Sequence, residues 1–198
     1  MKISIGAAII GIILGMLFTL RAAAALTSKP QSSTRDEMYL GLRDMALHTK
    51  AGELGIKPAN DSDPYAVIMD IDVGGGTATV ASFATGDASL YLMGGGGTIG
   101  SGQASEEVAA AAKEFVRTSA AHLPEMTRVK KQPLPEPKQV TFYVLTTAGI
   151  YSVSRPEQAL GEGKDSLSPL FYAGQNVLTE IRLLEERQEK ERQERNSR

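Results

Sequence analysis

The chain has 198 residues, of which 42% are hydrophobic and 22% charged, and its formal net charge is −2. This length allows one domain with a hydrophobic core, and the balanced charge gives no electrostatic reason to expect a nucleic-acid partner. The chain contains no cysteine, which excludes disulfides, thiol catalysis and thiolate metal sites.

The N-terminal part of the sequence is typical of a segment that enters a membrane. Residues 3–20 are apolar and uncharged, and Arg21 follows them. This run approaches the length of a membrane span, whereas the alanines at 22–25 suit a signal peptidase. We predict a signal anchor or signal peptide over residues 1–26, placing the protein in the membrane with a single-pass N-terminal anchor. A secreted or periplasmic protein, released by cleavage, is the alternative.

A polar linker over residues 27–34 leads to a predicted α+β domain over residues 35–184. Thr34 and Glu37 have the spacing of a capping box, which predicts a helix from about Arg35 to Thr49. An apolar stripe follows this helix: Met38, Leu42 and Met45.

Three strands are predicted next, over residues 65–73, 77–84 and 88–93. Glycines at 74–76 and the Thr85–Asp87 segment reverse the chain between them, so we predict an antiparallel meander. Alternation places five side chains of the first strand on one face: Tyr65, Val67, Met69, Ile71 and Val73.

The second half of the domain is predicted to contain a helix, a hairpin and a final helix. Ser105 is a good cap for a helix to about His122, with an inward stripe of Val108, Ala111, Ala112, Phe115 and Ser119. A proline-rich connector over residues 130–138 precedes a hairpin that turns at Ala148–Gly149. Ser168 and Pro169 begin the last helix. It continues into a charged, solvated tail over residues 185–198, with Glu186–Lys190 and Glu191–Arg195 pairs.

These elements predict an α+β fold with a five-stranded, mainly antiparallel sheet and helices packed on it. The order is α-βββ-α-ββ-α, which is similar to profilin-like and roadblock-like topology, preceded by an N-terminal hydrophobic helix. Such a similarity of order carries no function.

The glycines between the third strand and the second helix raise a question of function. Gly95, Gly97 and Gly100 satisfy the G-x-G-x-x-G pattern of dinucleotide sites. That pattern requires a parallel βαβ unit, whereas the preceding strands read as antiparallel. A tight passage from sheet to helix is therefore the favoured interpretation.

Asp70, Asp72, Gly74, Gly75, Gly76 and Thr77 resemble the hairpin phosphate loop of the actin, sugar-kinase and heat-shock chaperone ATPase superfamily. That superfamily encloses its nucleotide between two large lobes, and this chain has no room for them. Because Asp70 and Asp72 point to one side of a strand, they are also candidate ligands for a divalent cation. An exposed sheet face beside a turn is the favoured alternative.

We predict no catalytic residue, no metal site and no cofactor. His48 and His122 lie near helix ends, where a cation suits the helix dipole. Neither has a serine and a carboxylate at the spacing of a known catalytic motif.

Four stretches resemble an uncharacterised bacterial protein family with a single small α+β domain. They are YLGLRDMALHTKAGELGI, SLYLMGGGGTIGSG, VTFYVLTTAGIYSV and LSPLFYAGQNVLTEIR, and the resemblance covers about residues 38 to 183. It implies no activity.

The predicted function is a membrane-anchored or exported, non-catalytic binding or assembly domain. Its predicted partners are the membrane, through residues 3–20, and another protein or a second copy of the chain, with no nucleic acid. The alternative is a small protein that binds phosphate or a nucleotide through the glycine-rich loops.

Overall fold

The computed structural model describes residues 31–197. The strands are β1 (Ala66–Asp72), β2 (Thr77–Phe83), β3 (Ala88–Leu92), β4 (Gly97–Thr98), β5 (Thr127–Val129), β6 (Gln139–Thr146) and β7 (Gly149–Pro156). The α-helices are α1 (Gln31–His48), α2 (Glu106–His122), α3 (Glu157–Gly161) and α4 (Ser168–Asn196). In this part of the chain the strands form one sheet in the order β4-β3-β2-β1-β6-β7-β5, and every neighbouring pair is antiparallel.

The protein is α+β, but the prediction of a five-stranded sheet in a profilin-like or roadblock-like order is wrong, since the sheet has seven strands. The two missed strands form its edges. Strand β4 has two residues and β5 has three, too few for a recognisable alternation of apolar and polar side chains. The predicted N-terminal hydrophobic helix lies outside the described residues.

The predicted meander is confirmed. Strand β2 lies between β1 and β3, and its Thr79 pairs with Asp70 of β1 on one side and with Tyr91 of β3 on the other. Strand β1 also pairs with β6, where Asp70 lies opposite Thr141. Asp70 is therefore held in the middle of the sheet.

Both faces of the sheet are covered. Helices α2 and α4 pack on one face around Val67, Met69 and Ile71, which we call the two-helix core. Helix α1 packs on the other face around Ala66 and Ile68, which we call the α1 core.

The prediction that five alternate residues of the first strand share one face is wrong for Tyr65, and Val73 is not buried with the others. Tyr65 belongs to the α1 core, and Val73 is 57% exposed. Both residues lie just outside β1, where the alternation of a regular strand no longer fixes the direction of a side chain.

Helix α1 differs from its prediction in start and orientation. It runs from Gln31 to His48, so Thr34 lies inside the helix and does not cap it. The predicted apolar stripe is only partly the packed side: Leu42 packs against the α1 core, whereas Met38 and Met45 are 59% and 68% exposed. The buried positions are Tyr39, Arg43, Ala46 and Leu47.

The prediction for helix α2 is confirmed. The Ser105 hydroxyl accepts a hydrogen bond from the Val108 amide at 3.3 Å and caps the helix. The predicted inward stripe is buried throughout.

Helix α4 begins at Ser168, and Leu167 occupies the cap position. The Ser168 side chain therefore does not cap the helix. Residues 185–197 are helical or turn and exposed. Ion pairs in this part join Arg182 to Glu186 at 2.5 Å and Glu189 to Arg192 at 3.3 Å, in place of the predicted pairs.

Within residues 31–197 we find no helix with the length and apolar character needed to cross a membrane. The predicted anchor, residues 3–20, lies outside the described part of the chain.

Candidate functional site

A buried ion pair joins helix α1 to the centre of the sheet. Arg43 donates to Oδ2 of Asp70 from Nε at 2.8 Å and from Nη2 at 2.6 Å. Arg43 is 6% exposed and Asp70 is 0% exposed. The alternation of β1 turns Asp70 toward α1, so the favoured interpretation of an exposed sheet face is wrong for this residue.

The second oxygen of Asp70 is also satisfied by the protein. The Thr79 hydroxyl donates to Oδ1 of Asp70 at 2.6 Å, and the Tyr39 hydroxyl lies 2.7 Å from the Thr79 oxygen. Because the Thr79 proton goes to Asp70, Tyr39 donates to Thr79. Burial raises the pKa of the Asp70 carboxyl, against the opposing effects of Arg43 and Thr79. Burial, followed by the charge of Asp70, raises the pKa of Tyr39 to about 12.

Arg43 also holds the proline-rich connector against the sheet. Its Nη1 donates to the carbonyl of Gln132 at 2.9 Å and its Nη2 to that of Pro133 at 3.1 Å. The Tyr143 hydroxyl donates to the same Pro133 carbonyl at 2.5 Å, and the Arg43 guanidinium lies 5.4 Å from the Tyr143 ring centroid. The guanidinium thus joins α1, β1 and the connector, and this arrangement fastens three elements together.

Asp72 has a different role from Asp70. Its Oδ2 accepts a hydrogen bond from the Lys138 amide at 2.7 Å. Among the described residues other than glycine, Lys138 is the one with a positive φ, 62°. This conformation costs about 1–2 kcal/mol for an L-residue. The Lys138 carbonyl in turn accepts from the Glu157 amide at 3.0 Å. Asp72 therefore fixes the entry to β6, and the two aspartates do not form a common cation site.

The two glycine segments lie at the same end of the sheet, since the Met93 amide donates to the Thr77 carbonyl at 2.9 Å. Thr77 is buried, and the Val73 amide closes the turn by donating to the Gly76 carbonyl at 3.1 Å. Gly74 and Gly75 lie exposed on that turn. The two segments predicted to bind phosphate are therefore neighbours. The acceptors of the loop amides decide whether the segments form a phosphate site.

Three amides of the glycine loop, residues 94–102, donate to acceptors within the protein. Gly94 donates to Oδ1 of Asp36 at 3.1 Å, Gly95 to the Leu92 carbonyl at 3.0 Å and Gly100 to the Ser89 hydroxyl at 3.3 Å. These three amides do not converge on a common cavity.

Close approach of backbone explains glycine at two positions of this loop. A Cβ at Gly97, where φ is 116°, would lie 2.1 Å from the Leu90 carbonyl oxygen. A Cβ at Gly102 would lie 2.0 Å from the Gly86 carbonyl oxygen. Glycine is needed here because β4 and the turn after it pass directly over neighbouring backbone.

An open cleft of about 910 Å³ lies between the start of β6, the end of β7, α3 and α4, and Lys138 is one of its lining residues. Four rings line it: Pro137, Pro156, Phe171 and Tyr172. The Phe171 and Tyr172 ring centroids are 6.1 Å apart, and Tyr172 is 48% exposed. The Tyr172 hydroxyl donates to the Gly161 carbonyl at 3.0 Å, which fixes the ring at the cleft.

Charged and amide side chains complete the lining of the cleft. Glu162 is paired with Lys164 at 2.6 Å and accepts from Gln158 at 2.8 Å, and these contacts lower the pKa of Glu162. Glu157 is half-buried, and its carboxylate has no protein partner within the described residues. The Lys138 side chain also lines the cleft without a protein partner among the described residues. The cleft therefore offers rings beside one uncommitted carboxylate and one uncommitted ammonium group.

The histidines remain at helix ends. His48 Nδ1 lies 3.1 Å from Asp44, and His122 Nδ1 lies 3.0 Å from Glu125, which also accepts a hydrogen bond from the Ser166 hydroxyl. Glu125 stands between the hydroxyl and the imidazole, so the order of a serine hydrolase triad is not reproduced. Within residues 31–197 no group of three histidine or acidic side chains is placed to hold a metal ion.

Sequence reasoning missed the cleft and the role of Arg43. The cleft is built from segments near residues 138, 157 and 172, and each of them is an ordinary turn or helix when read alone. Arg43 carried a signal, since it occupies the helix position between apolar Tyr39, Ala46 and Leu47.

Comparison with protein-family models, with curated proteins and with solved structures finds no match to this chain. The resemblance to a bacterial family stays a prediction.

Proposed function

We propose that this protein is a non-catalytic binding or assembly domain held at a membrane by residues 3–20. The observation that carries the binding role is the cleft, where the half-exposed Tyr172 ring lies beside the uncommitted Glu157 carboxylate. By contrast, Asp70 is fully committed to Arg43 and Thr79 and is closed to solvent. A carboxylate in that state holds the fold together and is not available to a substrate.

Membrane attachment is supported by the sequence of residues 3–20, which is uncharged and rich in isoleucine and leucine. A charge at the centre of such a segment opposes insertion by about 2.5–3.5 kcal/mol. Release by cleavage near residues 22–25 gives the exported form of the same domain.

Fractionation of cells that express the full chain tests this proposal. We expect the chain and its Ile12→Leu variant to stay in the membrane pellet through alkaline extraction, and Ile12→Arg to leave it. Intact-mass analysis separates an anchor from a cleaved signal. An uncleaved chain in the soluble cytoplasmic fraction would contradict the proposal.

Phosphate or nucleotide binding at the glycine-rich end has less support. The two glycine segments are neighbours, as such a site requires, but the amides of Gly94, Gly95 and Gly100 donate to protein acceptors. Docking of another chain at a sheet edge also has less support, because β4 and β5 are very short and short edge strands oppose such pairing.

A further inference from the structure

We propose that the end of the sheet where α1 begins faces the lipid bilayer, and that the turn between β1 and β2 contacts the lipid headgroups. We call residues 73–76 of this turn the hairpin tip. The inference rests on the membrane attachment proposed above and names the surface of the domain that meets the membrane. It is carried by the place where α1 begins, by the uncharged sequence of the tip and by the charge at the opposite end of the sheet.

Helix α1 begins beside the hairpin tip. Arg35 Nη1 donates to the Gly94 carbonyl at 3.4 Å, and the Gly94 amide donates to Oδ1 of Asp36 at 3.1 Å. The tip lies next to this loop, since a Cβ at Gly76 would lie 3.5 Å from the Cβ of Met93. The first turns of α1, the start of the glycine loop and the hairpin tip are therefore neighbours.

The chain between the predicted anchor and α1 is short. Residues 21–30 separate them, and ten residues span at most about 35 Å when fully extended. Helix α1 then leads away from the tip over 18 residues, a rise of about 27 Å. It ends near Thr49, whose carbonyl accepts from the Tyr65 hydroxyl at the other end of β1. An anchor in the bilayer therefore brings the tip end of the domain closest to the lipid.

The hairpin tip suits an interfacial position because it is exposed and uncharged. Val73 is 57% exposed, and Gly74 and Gly75 are exposed beside it. No charged residue occurs in the sequence from 73 to 86. Met38, in the first half of α1, is 59% exposed. Contact with lipid removes these two apolar side chains from water without burying a charge.

Two carboxylates near the tip are already engaged by backbone amides. Oδ2 of Asp72 accepts from the Lys138 amide at 2.7 Å, and Oδ1 of Asp36 accepts from the glycine loop. Arg35 is exposed at the same place, and a lipid phosphate is a favourable partner for a guanidinium. Because the exposed Glu37 also lies near the start of α1, a zwitterionic headgroup fits this end better than an anionic one.

The opposite end of the sheet is charged. The turn between β6 and β7 is held there by the Ala148 amide, which donates to the Asp61 carbonyl at 2.9 Å. The loop that contains this carbonyl carries Lys57, Asp61 and Asp63. Contact with a bilayer would cost these groups part of their hydration, so we assign this end to the side that faces away from the lipid.

Fluorescence quenching in reconstituted vesicles tests the proposal. The chain contains no cysteine, so one introduced cysteine carries one nitrobenzoxadiazole label. The full chain is reconstituted in phosphatidylcholine vesicles with and without a lipid that carries a nitroxide on its headgroup. We expect the label on Val73→Cys to be quenched at least about threefold more than the label on Lys57→Cys, because an interfacial group lies within about 5–10 Å of the headgroup boundary.

A second pair of variants compares two exposed methionines of the same helix. Met38 lies near the tip, and Met45 lies seven residues further along α1, about 10 Å away along its axis. The label on Met38→Cys should be quenched more than the label on Met45→Cys. Circular dichroism confirms that each variant is folded, and the methionine pair decides the proposal if Val73→Cys does not fold.

Equal quenching of the labels at 73 and 57, in chains that float with the vesicles, overturns this inference alone. A chain that does not float with the vesicles overturns the membrane proposal and this inference with it. Disulfide-linked dimers of unlabelled Val73→Cys, without quenching of its labelled form, would show that a second copy covers the tip and would overturn contact with lipid.

Discussion

The Arg43–Asp70 pair is the residue-scale feature on which the arrangement of the fold depends. Burial of an unpaired carboxylate in a sheet, or of an unpaired guanidinium under a helix, destabilises the folded state. Each charge is tolerated here because the other offsets its cost of burial. The alternation of β1 predicts the side to which Asp70 points. It does not predict that this side is buried, because burial depends on α1, which lies more than twenty residues earlier in the chain.

Removal of one partner of this pair should destabilise the protein strongly. Arg43→Met leaves Asp70 buried without its cation and should lower the free energy of unfolding by about 3–5 kcal/mol. Urea unfolding followed by circular dichroism measures this change.

Two further variants control that experiment. Arg43→Met combined with Asp70→Leu removes both charges and should be more stable than Arg43→Met alone. Arg117→Met breaks the exposed Arg117–Glu114 pair and should change stability little. An Arg43→Met variant as stable as the parent chain would show that the pair does not hold α1 on the sheet.

Tyr39 should make the protein sensitive to alkali. The pKa of Tyr39 is raised to about 12 in the folded protein, whereas an unfolded tyrosine titrates near its ordinary value of about 10. The unfolded state therefore loses its proton first. The contribution of this group is complete below about pH 10 and is lost as pH rises toward about 12.

Comparison with Tyr39→Phe isolates this effect. The variant loses the hydrogen bond to Thr79 at every pH but has no proton to lose. We expect the difference in urea midpoint between the parent chain and the variant to shrink as pH rises from 10 to 12. A constant difference across that range would contradict the raised pKa.

At the scale of the element, the glycine loop shows why glycine matters in some places more than in others. Gly94 and Gly97 both have positive φ, 87° and 116°. A Cβ at Gly94 meets no atom within 4 Å, whereas one at Gly97 meets the Leu90 backbone. The first substitution adds only backbone strain, and the second adds a collision.

We expect Gly94→Ala to cost about 1 kcal/mol of unfolding free energy and Gly97→Ala about 3 kcal/mol or more. Chemical denaturation of the two variants under the same conditions measures the difference. Equal effects would mean that β4 does not need its close approach to β3.

The charged end of α4 should be separable from the domain. Residues 185–197 are exposed, so deletion of residues 189–198 should leave the thermal midpoint nearly unchanged while it reduces the helical circular dichroism signal. A large fall in the midpoint would show that this segment packs on the domain.

Prediction from sequence succeeded for elements with a strong local pattern and failed where tertiary contacts decide. The meander and α2 carry clear alternation, helical periodicity and a serine cap. Strands β4 and β5 exist only because β3 and β7 offer them partners. Helix α1 turned its methionines outward because Tyr39 and Arg43 have hydrogen-bond partners in the sheet, and no local periodicity reveals such partners.

At the scale of the whole molecule, the sheet separates two hydrophobic cores, one on each face. The open cleft lies at one end of the sheet, where β6 begins and β7 ends. Of the predicted ligand residues, those of the 74–77 turn lie near that end, whereas Gly100 lies beside Ser89 toward the other end of β3. Asp70 and the amides of Gly95 and Gly100 are used by the fold. The cleft could not be predicted, because its rings come from a connector, a strand end and a helix that are distant in sequence. The physical basis for assigning function is therefore which polar groups have protein partners and which do not.

The amides of Gly94, Gly95 and Gly100 donate to protein acceptors, and an NMR titration of the isotope-labelled chain tests most directly whether the glycine loop binds a ligand. With millimolar magnesium–ATP or inorganic phosphate, we predict that the amide signals of Gly95, Gly97 and Gly100 do not move and that the thermal midpoint is unchanged. Saturable shifts of those signals, with a rise in the midpoint as a ligand of the folded state requires, would contradict the assignment of these amides to the fold and support a phosphate site.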